Sequence, residues 1–356
     1  MDQRTVPARK ASHPTCCQFI PPHVLDHMAR VTSGGGSEPN AAQRSAVVSA
    51  EIRSVRRRAP MDLTTLTPPV PGKSDRAVYD AQNTFDVEKV LVRGESDPEV
   101  QAQNVNDAYD FSGAARDYFV EVHDRAGIDD NGMTISANVN YGTALANAFW
   151  DGTRILLGNG DGTFFVDLSG SPDVTGHELS HGVVQFTANL DYFSQSGALN
   201  ESFADVFGSL IEQRLQGRDF GTANWLIGDE IMAPDLYGEA LRSMAHPGTA
   251  YDNAILGTDP QPDHMLNYYA GPDDNQGVHI NSGIPNRAFY LTASELGTEN
   301  AGRIWYAGLV NLWSTATFAD AAQVLADQAR LLAREGAVER QAAQVVRGSW
   351  RAVGVL

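Results

Sequence analysis

The chain has 356 residues, of which 42% are hydrophobic and 20% are charged, and this composition excludes a largely disordered or fibrous protein. Its length allows two domains or lobes of about 100 to 200 residues each. No run approaches the roughly 18 consecutive apolar residues of a membrane span, and residues 1–10 lack the apolar core of a secretory signal. We therefore expect no membrane partner, and a protein that is cytoplasmic or exported without a conventional signal peptide.

The net charge of −18 is unevenly distributed along the chain. Residues 1–60 contain 9 Lys and Arg against 4 Asp and Glu, whereas the remaining residues contain 17 against 40. These opposite signs permit electrostatic docking of the front segment on the body, although a merely solvated basic tail would give the same counts. The acidic body argues against nucleic acid as a partner, because phosphate binding needs clustered Lys and Arg.

In chain order, the amino-terminal segment 1–60 has a loop-like composition and predicts an appendage. Residues 97–127 carry apolar side chains at helical spacing and predict a helix. Residues 145–150 and 153–157 predict two strands, because the Asp-Gly pair between them favours a two-residue hairpin turn. Further helices are predicted at 173–189, 195–215, 285–296, 301–315 and 318–334. Strand-like patterns thus precede a mainly helical second half.

One of these helices carries His177, Glu178 and His181. Residues four apart lie on one helix face, so both imidazoles can present a nitrogen to the same metal ion. Two histidines around a glutamate at this spacing are a signal of zinc peptidases in which the glutamate is the general base. The alternative is that two surface histidines of a helix, without any metal ion, match this five-residue pattern by chance.

The next predicted helix adds Glu201 and Asp205. A catalytic zinc ion typically has three protein ligands and one open position, and Glu201 would complete the set with His177 and His181. Asp205, four residues further on, is suitably spaced to accept the second N–H of His177. An ordinary exposed carboxylate is the alternative interpretation at each position.

These residues, together with segments 147–150, 197–208, 242–244 and 277–283, resemble the thermolysin family. Within that family the sequence is similar to the protealysin-like branch, which has a short propeptide and no signal peptide. The resemblance covers most of residues 75–350.

The resemblance implies an α+β fold, with a strand-rich N-terminal lobe, a mainly α-helical C-terminal lobe and the active site between them. Residues 1–60 would be the propeptide, 61–190 the first catalytic lobe including the zinc-binding helix, and 191–356 the second. The implied activity is a zinc-dependent endopeptidase with one catalytic zinc ion. We expect a monomer that acts on peptide or protein substrates and binds its own propeptide in cis.

The resemblance also implies roles for individual residues. His177, His181 and Glu201 would bind zinc, and Glu178 would activate the water. His279 would stabilise the oxyanion with help from Tyr192, and Asp274 would orient His279. Arg242 would hold a substrate carbonyl, Asn147 and Ala148 would pair with the peptide backbone, and a hydrophobic pocket for the residue after the cut bond would consist of Phe165, Leu168, Val174, Ile227 and Leu241.

The resemblance further implies a calcium site. The corresponding positions are Asp173, Glu212, Asn224, Leu226 and Asp229, and the usual carboxylates have been replaced at Asn224 and Leu226. Calcium prefers about six to eight oxygen ligands. We therefore expect one calcium ion at most, or none.

The front segment contains Pro21, Pro22 and Leu25, which look like the Pro-Pro-x-x-Leu element of a protealysin-type propeptide. Such a segment could lie in the cleft and block it until cleavage between about residues 46 and 62, although a Pro-rich linker is the alternative. Two adjacent cysteines, Cys16 and Cys17, cannot build a disulfide framework. They could offer a thiolate to zinc, but nothing in the resemblance requires it.

Two other functions remain open at this stage. A zinc aminopeptidase is disfavoured, because the sequence has no Gly-x-Met-Glu-Asn element to bind a free substrate amine. A non-catalytic peptide-binding protein is disfavoured by the presence of Glu178 and His279. A hydrophobic pocket of this kind selects a class of peptide bonds and not one protein.

Overall fold

A computed structural model describes residues 17–32, 40–56 and 74–356. The strands are β1 (Cys17–Gln18), β2 (Arg76–Asp80), β3 (Val90–Gly94), β4 (Ile135–Val139), β5 (Ala148–Trp150), β6 (Ile155–Leu157), β7 (Leu226–Ile227), β8 (Arg242–Ser243), β9 (Asp252–Asn253) and β10 (Gly257–Thr258). The helices are α1 (Pro22–Val31), α2 (Ala41–Arg56), α3 (Gln103–His123), α4 (Pro172–Gln185), α5 (Ser194–Leu215), α6 (Asp273–Asn281), α7 (Gly283–Leu296), α8 (Thr298–Leu309), α9 (Phe318–Glu335) and α10 (Ala342–Ala352).

The first lobe is built around a six-stranded sheet in the order β1-β5-β6-β4-β2-β3. Strands β2, β4 and β6 are parallel, whereas β5 is antiparallel to β6 as the predicted hairpin requires. The edge strand β1 comes from the amino-terminal segment and pairs antiparallel with β5. Helices α5 to α10 dominate the second lobe, and this arrangement confirms the predicted fold class.

Helix α4 joins the two lobes and is buried along nearly its whole length. Pro172 opens its first turn, where the missing N–H costs no hydrogen bond. It packs against α5 at two glycines: a Cβ built on Gly176 would lie 3.1 Å from the Gly208 Cα, and one on Gly208 would lie 2.8 Å from the Asp173 carbonyl oxygen. This close approach brings the two candidate metal-binding helices into contact.

The front segment differs from the loop-like appendage that its composition predicts. Within the described residues it forms β1, α1 and α2. Helix α1 buries Val24, Leu25 and Met28, and α2 packs Val48 and Ile52 on a cluster of the first lobe. The prediction relied on the Gly and Ser content of the segment. It did not recognise the apolar faces of these helices, because those faces are buried only by packing against the body.

Several element boundaries also differ. The helix predicted at 97–127 spans only Gln103–His123 and ends at Asp124, whose φ of 51° is left-handed. Helices α6 and α10 were not predicted.

No helix among the described residues is long and apolar enough to cross a membrane.

Candidate metal centre and cleft

Helices α4 and α5 bring together the three residues predicted to bind zinc. The Nε2 atoms of His177 and His181 lie 2.9 Å apart. Glu201 Oε2 lies 3.6 Å from His177 Nε2, and its Oε1 lies 3.5 Å from His181 Nε2. All three side chains are at most 1% exposed. The ligand atoms therefore converge on one buried point.

The outer nitrogens of both imidazoles have acceptors that fix the rings. His177 Nδ1 lies 2.9 Å from Asp205 Oδ1, and His181 Nδ1 lies 2.8 Å from Asn200 Oδ1. These acceptors place the protons on Nδ1, so both Nε2 atoms carry lone pairs. Burial and the neighbouring His177 lower the pKa of His181 well below its usual value, which keeps this imidazole neutral.

This arrangement fits a metal ion. Two nitrogen lone pairs that face each other at 2.9 Å repel unless a cation lies between them. Glu201 Oε2 is buried and accepts no hydrogen bond within the described part of the chain. Two imidazoles and one carboxylate are a donor set of catalytic zinc sites.

Asp205 connects the metal centre to Arg242. Besides His177, it accepts hydrogen bonds from Arg242 Nε at 2.9 Å and Nη2 at 2.8 Å, and from Asn286 Nδ2 at 2.9 Å. Burial alone raises the pKa of this carboxyl, but the Arg242 and His177 contacts outweigh it and hold the pKa well below its usual range. Asp205 is therefore an anion that orients both partners.

His279 lies on the other side of the centre, held by Asp274. Its Nδ1 lies 2.6 Å from Asp274 Oδ1, and its backbone N–H donates to Asp274 Oδ2 at 2.7 Å. Burial lowers the pKa of His279, but the charges of Asp274 and Glu201 outweigh it and raise the pKa to about 9. Protonated His279 can donate from both nitrogens, and the Tyr192 hydroxyl is 3.1 Å from its Nε2 and hydrogen-bonds Glu201.

A strained turn delivers Asp274 to this position. Residues 274–277 have φ between 51° and 76°, a left-handed conformation that three of the four, Asp274, Asn275 and Gln276, adopt at a cost. Sequence patterns do not predict such a turn.

The cleft is occupied by the chain's own residues Cys17 to Ile20. The Gln18 carbonyl oxygen accepts a hydrogen bond from His279 Nε2 at 3.0 Å. The Phe19 N–H donates to the Ala148 carbonyl oxygen at 3.1 Å. Strand β1 continues this pairing, with Cys17 opposite Trp150.

Arg242 and Asn147 bind the same segment. Arg242 Nη1 donates to the Phe19 carbonyl oxygen at 3.1 Å. Asn147 Oδ1 accepts from the Ile20 N–H at 2.9 Å, and its Nδ2 donates to the Ile20 carbonyl oxygen at 3.3 Å. The residues predicted to hold a substrate backbone thus all contact the front segment.

The Phe19 side chain is fully buried, and its ring centroid lies 5.1 Å from that of His177. A Cβ built on Gly228 would lie 3.0 Å from both the Phe19 ring and Leu241. Phe19 belongs to the main hydrophobic core, which runs through both lobes and also contains the predicted pocket residues Phe165, Leu168, Val174, Ile227 and Leu241. Of these five, Leu241 lies beside Gly228 together with the Phe19 ring.

The expected inhibitory residues Pro21, Pro22 and Leu25 follow directly after the residues that lie in the centre of the cleft. Pro21 precedes helix α1 and Pro22 begins it, while Leu25 is buried on that helix. The residues just before the prolines bind between the catalytic candidates. The prolines set the point at which the extended segment turns into a helix.

Sequence reasoning missed one polar neighbour of the centre, Asn200, and left a second neighbour, Cys17, as an open alternative. Asn200 directly precedes Glu201. It could have been identified from the sequence, because a metal-binding His181 needs a hydrogen-bond acceptor for its second ring nitrogen. Cys17 lies outside any globular pattern, yet it is buried, and its Sγ and one ligand atom each of His181 and Glu201 all lie within 4.8 Å of one another.

The predicted calcium positions lie close together, and three of them, Asp173, Asn224 and Asp229, already make hydrogen bonds. Asp173 accepts hydrogen bonds from Ser171 and from the Gly228 N–H, the latter at 2.6 Å. Asn224 Nδ2 donates to Asp229 Oδ2 at 3.0 Å. Burial and the charge of Asp173 raise the pKa of Glu212 to about 8.

Comparisons with known proteins agree with this geometry. The family described as thermolysin metallopeptidase, catalytic domain, matches residues 54–185, and thermolysin metallopeptidase, alpha-helical domain, matches residues 188–355. The extracellular metalloprotease of Pectobacterium carotovorum subsp. carotovorum is 41% identical over 293 residues, which cover 82% of this chain and 83% of the relative.

Two further similarities extend through the front segment. Protease PrtS of Photorhabdus sp. (strain Az29) is 40% identical over 344 residues, covering 95% of this chain and 91% of the relative. The solved structure of the precursor of protealysin, a metalloproteinase from Serratia proteamaculans, superposes with a TM-score of 0.82 at 37% identity, covering 96% of this chain and 100% of that chain.

Proposed function

The chain belongs to the thermolysin family of metallopeptidases and is a metalloendopeptidase, and we propose that it is a latent precursor. The active enzyme depends on zinc and cleaves peptide bonds on the N-terminal side of bulky hydrophobic residues. One observation carries the proposal. An extended segment of the chain itself lies beside the converging histidines, with its backbone bound by Ala148, Arg242 and His279 and an aromatic side chain buried next to them.

In the proposed reaction, Glu178 is the general base. His177, His181 and Glu201 would hold a zinc ion, which would lower the pKa of a bound water molecule and polarise the scissile carbonyl. Glu178 is fully buried on the zinc-binding helix beside His177. Its carboxylate takes the proton from the attacking water and passes it to the leaving amine.

His279 and Tyr192 stabilise the charge that develops on the carbonyl oxygen. His279 already donates to a peptide carbonyl, that of Gln18, at 3.0 Å. A donor held by Asp274 needs no reorganisation as the oxygen becomes anionic, so its hydrogen bond strengthens in the transition state. The Tyr192 hydroxyl lies 3.1 Å from the same nitrogen and is proposed to act as a second donor to the carbonyl oxygen.

The proposed specificity follows from Phe19. With the Gln18 carbonyl at the oxyanion donor, Phe19 occupies the place of the residue after the cut bond. Its side chain is buried among apolar residues, and its carbonyl is held by Arg242. Backbone contacts to Asn147 and Ala148 read no side chain, so the pocket alone selects the bond.

Latency is proposed from the packing of residues 17–32 and 40–56. Helix α1 hydrogen-bonds the body through His23 and Tyr251, whose ring nitrogen and hydroxyl lie 3.1 Å apart. Helix α2 supplies the Ser45 and Ser49 hydroxyls, which accept from the Ala146 N–H and Asn147 Nδ2, each at 3.0 Å. A substrate could not enter until this segment leaves.

Removal of the segment is proposed to follow cleavage between residues 46 and 62. The part of this stretch up to residue 56 lies in α2, and the rest lies outside the described residues. The lobe boundaries at 60 and 190 stay predictions. So does the location, although a relative is named as an extracellular protease.

The proposal is tested by digestion of a denatured protein. The wild-type precursor and its Glu178→Ala variant are both nicked with trypsin, the trypsin is inhibited, and the products of each digestion are sequenced by mass spectrometry. We expect internal cuts before bulky apolar residues, at a rate about 10²- to 10⁴-fold lower in Glu178→Ala. Glu99→Ala, at an exposed position, is the control that should digest normally. Equal cleavage by the Glu178→Ala variant would refute the assignment.

A further inference from the structure

The segment in the cleft is bound as a substrate would be, so a latent precursor needs a feature that protects this segment from hydrolysis. The Gln18 carbonyl meets the oxyanion donor His279, and the Phe19 side chain fills the apolar site that follows it. The Phe19 N–H and carbonyl are both hydrogen-bonded to the body. The Gln18–Phe19 peptide bond is therefore presented for hydrolysis.

Strand geometry places the Cys17 side chain toward the metal centre. Successive side chains of a strand point to opposite faces, so Cys17 and Phe19 share one face. Phe19 packs edge-on against His177 on that face. Gln18 lies on the other face, where its Nε2 donates to the Ile20 carbonyl oxygen at 3.1 Å.

The Cys17 sulfur lies close enough to the predicted ligand atoms to share one metal ion with them. Cys17 is 1% exposed, and its Sγ is within 4.8 Å of ligand atoms of both His181 and Glu201. A second, independent feature marks this point as a metal position, because Glu201 Oε2 is buried without a hydrogen bond among the described residues. Thiolates are strong zinc ligands, and a positive ion beside a cysteine favours the thiolate.

We propose that Cys17 is the fourth zinc ligand of the precursor and protects the Gln18–Phe19 bond by occupying the position of the attacking water. The proposal rests on the proposed function, because it requires zinc at His177, His181 and Glu201. On binding, the Cys17 thiol loses its proton to solvent and the water molecule leaves the fourth position, with no change of oxidation state. Hydrolysis then lacks its nucleophile although the peptide is correctly seated.

The ligand is identified by spectroscopy on the full chain. Glu178→Ala serves as the background, because it prevents self-cleavage while the segment stays in place. X-ray absorption at the zinc edge should then show one sulfur at about 2.3 Å beside nitrogen and oxygen ligands at about 2.0 to 2.2 Å. Adding Cys17→Ser should remove the sulfur while one zinc ion per chain stays bound, whereas adding Cys16→Ser, the matched neighbour, should leave it.

The possible outcomes separate the two proposals. A chain that binds no zinc refutes both. A chain that binds zinc without a sulfur ligand, or that keeps the sulfur in Cys17→Ser, refutes the role of Cys17 and leaves the zinc site standing. Near-ultraviolet circular dichroism of each variant shows whether the fold is retained.

Latency provides a second measurement, made with Glu178 intact. The lifetime of the precursor before self-cleavage should be shorter in Cys17→Ser than in Cys16→Ser. Equal lifetimes would overturn the protective role.

Discussion

Asp205 and Arg242 form a fully buried pair in which two guanidinium nitrogens each donate to a different carboxylate oxygen, at 2.9 and 2.8 Å. The same carboxylate accepts from His177, and the same guanidinium donates to the Phe19 carbonyl. One ion pair thus links the candidate metal centre to the segment that lies in the cleft, at the proposed position of a substrate backbone. Changes at either residue should affect both functions.

The first prediction concerns the Asp205→Asn variant. An amide cannot balance the Arg242 charge, and losing one partner of a buried pair costs about 3 to 5 kcal/mol of stability. Loss of the carboxylate behind a zinc-binding imidazole should also weaken zinc affinity about 10- to 100-fold. Thermal unfolding and zinc competition with a chelator measure the two effects.

Asp235→Asn is the matched control, because Asp235 is exposed on the second lobe. It should change neither quantity. If Asp205→Asn lowers stability but leaves zinc affinity intact, Asp205 holds Arg242 only and does not orient His177.

The second prediction concerns Phe19→Ala in the inactive Glu178→Ala chain. Removing a fully buried phenylalanine costs about 3 to 5 kcal/mol, so the front segment should open far more often. Trypsin cleavage after Arg30 and Arg44 should accelerate by about 10²-fold or more. The control Val47→Ala alters a side chain that is 58% exposed and should leave the rate unchanged. An unchanged rate in Phe19→Ala would mean that the pocket contributes little to holding the segment.

The third prediction separates oxyanion stabilisation from substrate binding. His279→Ala removes a donor to the carbonyl oxygen and should lower kcat about 10²-fold or more, with a smaller effect on KM. The exposed His246 provides the control variant His246→Ala. Steady-state cleavage of a peptide with an apolar residue after the cut bond gives both constants, and a pure KM effect would assign His279 to binding instead.

The catalytic body was largely predictable from sequence. Helical spacing alone put His177 and His181 on one face, and the α4–α5 contact at Gly176 and Gly208 realises the geometry that this spacing requires. The roles of Arg242 and His279 came from the family resemblance, because residues so distant in sequence show no local pattern. The left-handed turn at 274–277 could not be predicted, since it breaks the local preferences of its residues.

The front segment was the part that sequence patterns described worst. Its composition is loop-like, and helices α1 and α2 depend on contacts with the body for their burial. Pro21 and Pro22 identified the correct region of the chain. The residues at the centre of the cleft are Cys17 to Ile20, just before these prolines. Cys17 carried no periodic signal, because a two-residue strand that pairs with a distant edge has none.

The fourth prediction concerns calcium. Asp173 already accepts two hydrogen bonds, and Asn224 offers Asp229 its amide nitrogen. Few oxygens are left for an ion that prefers about six to eight. Calorimetric titration of the zinc-loaded chain should therefore find at most one calcium ion, absent in Glu212→Gln. Two ions per chain would contradict this expectation.

The fifth prediction is a pH dependence of latency through His23. Burial lowers its pKa to about 4 when the segment is docked, and Asp274, His279 and Arg242 are the charged groups that face it. In the undocked segment the pKa returns to about 6.5. Neutral His23 therefore stabilises docking fully above about pH 6.5, and this contribution is lost as the pH falls towards 4.

Between pH 7 and pH 5 this linkage should weaken docking roughly 20-fold. Hydrogen exchange of helix α1 in the full-length Glu178→Ala chain measures it, after correction for the intrinsic pH dependence of exchange. The control His23→Gln can still hydrogen-bond Tyr251 but does not titrate, so its protection should change much less over the same range. If both chains lose protection equally, another group controls the opening, and acidification would not release the cleft through His23.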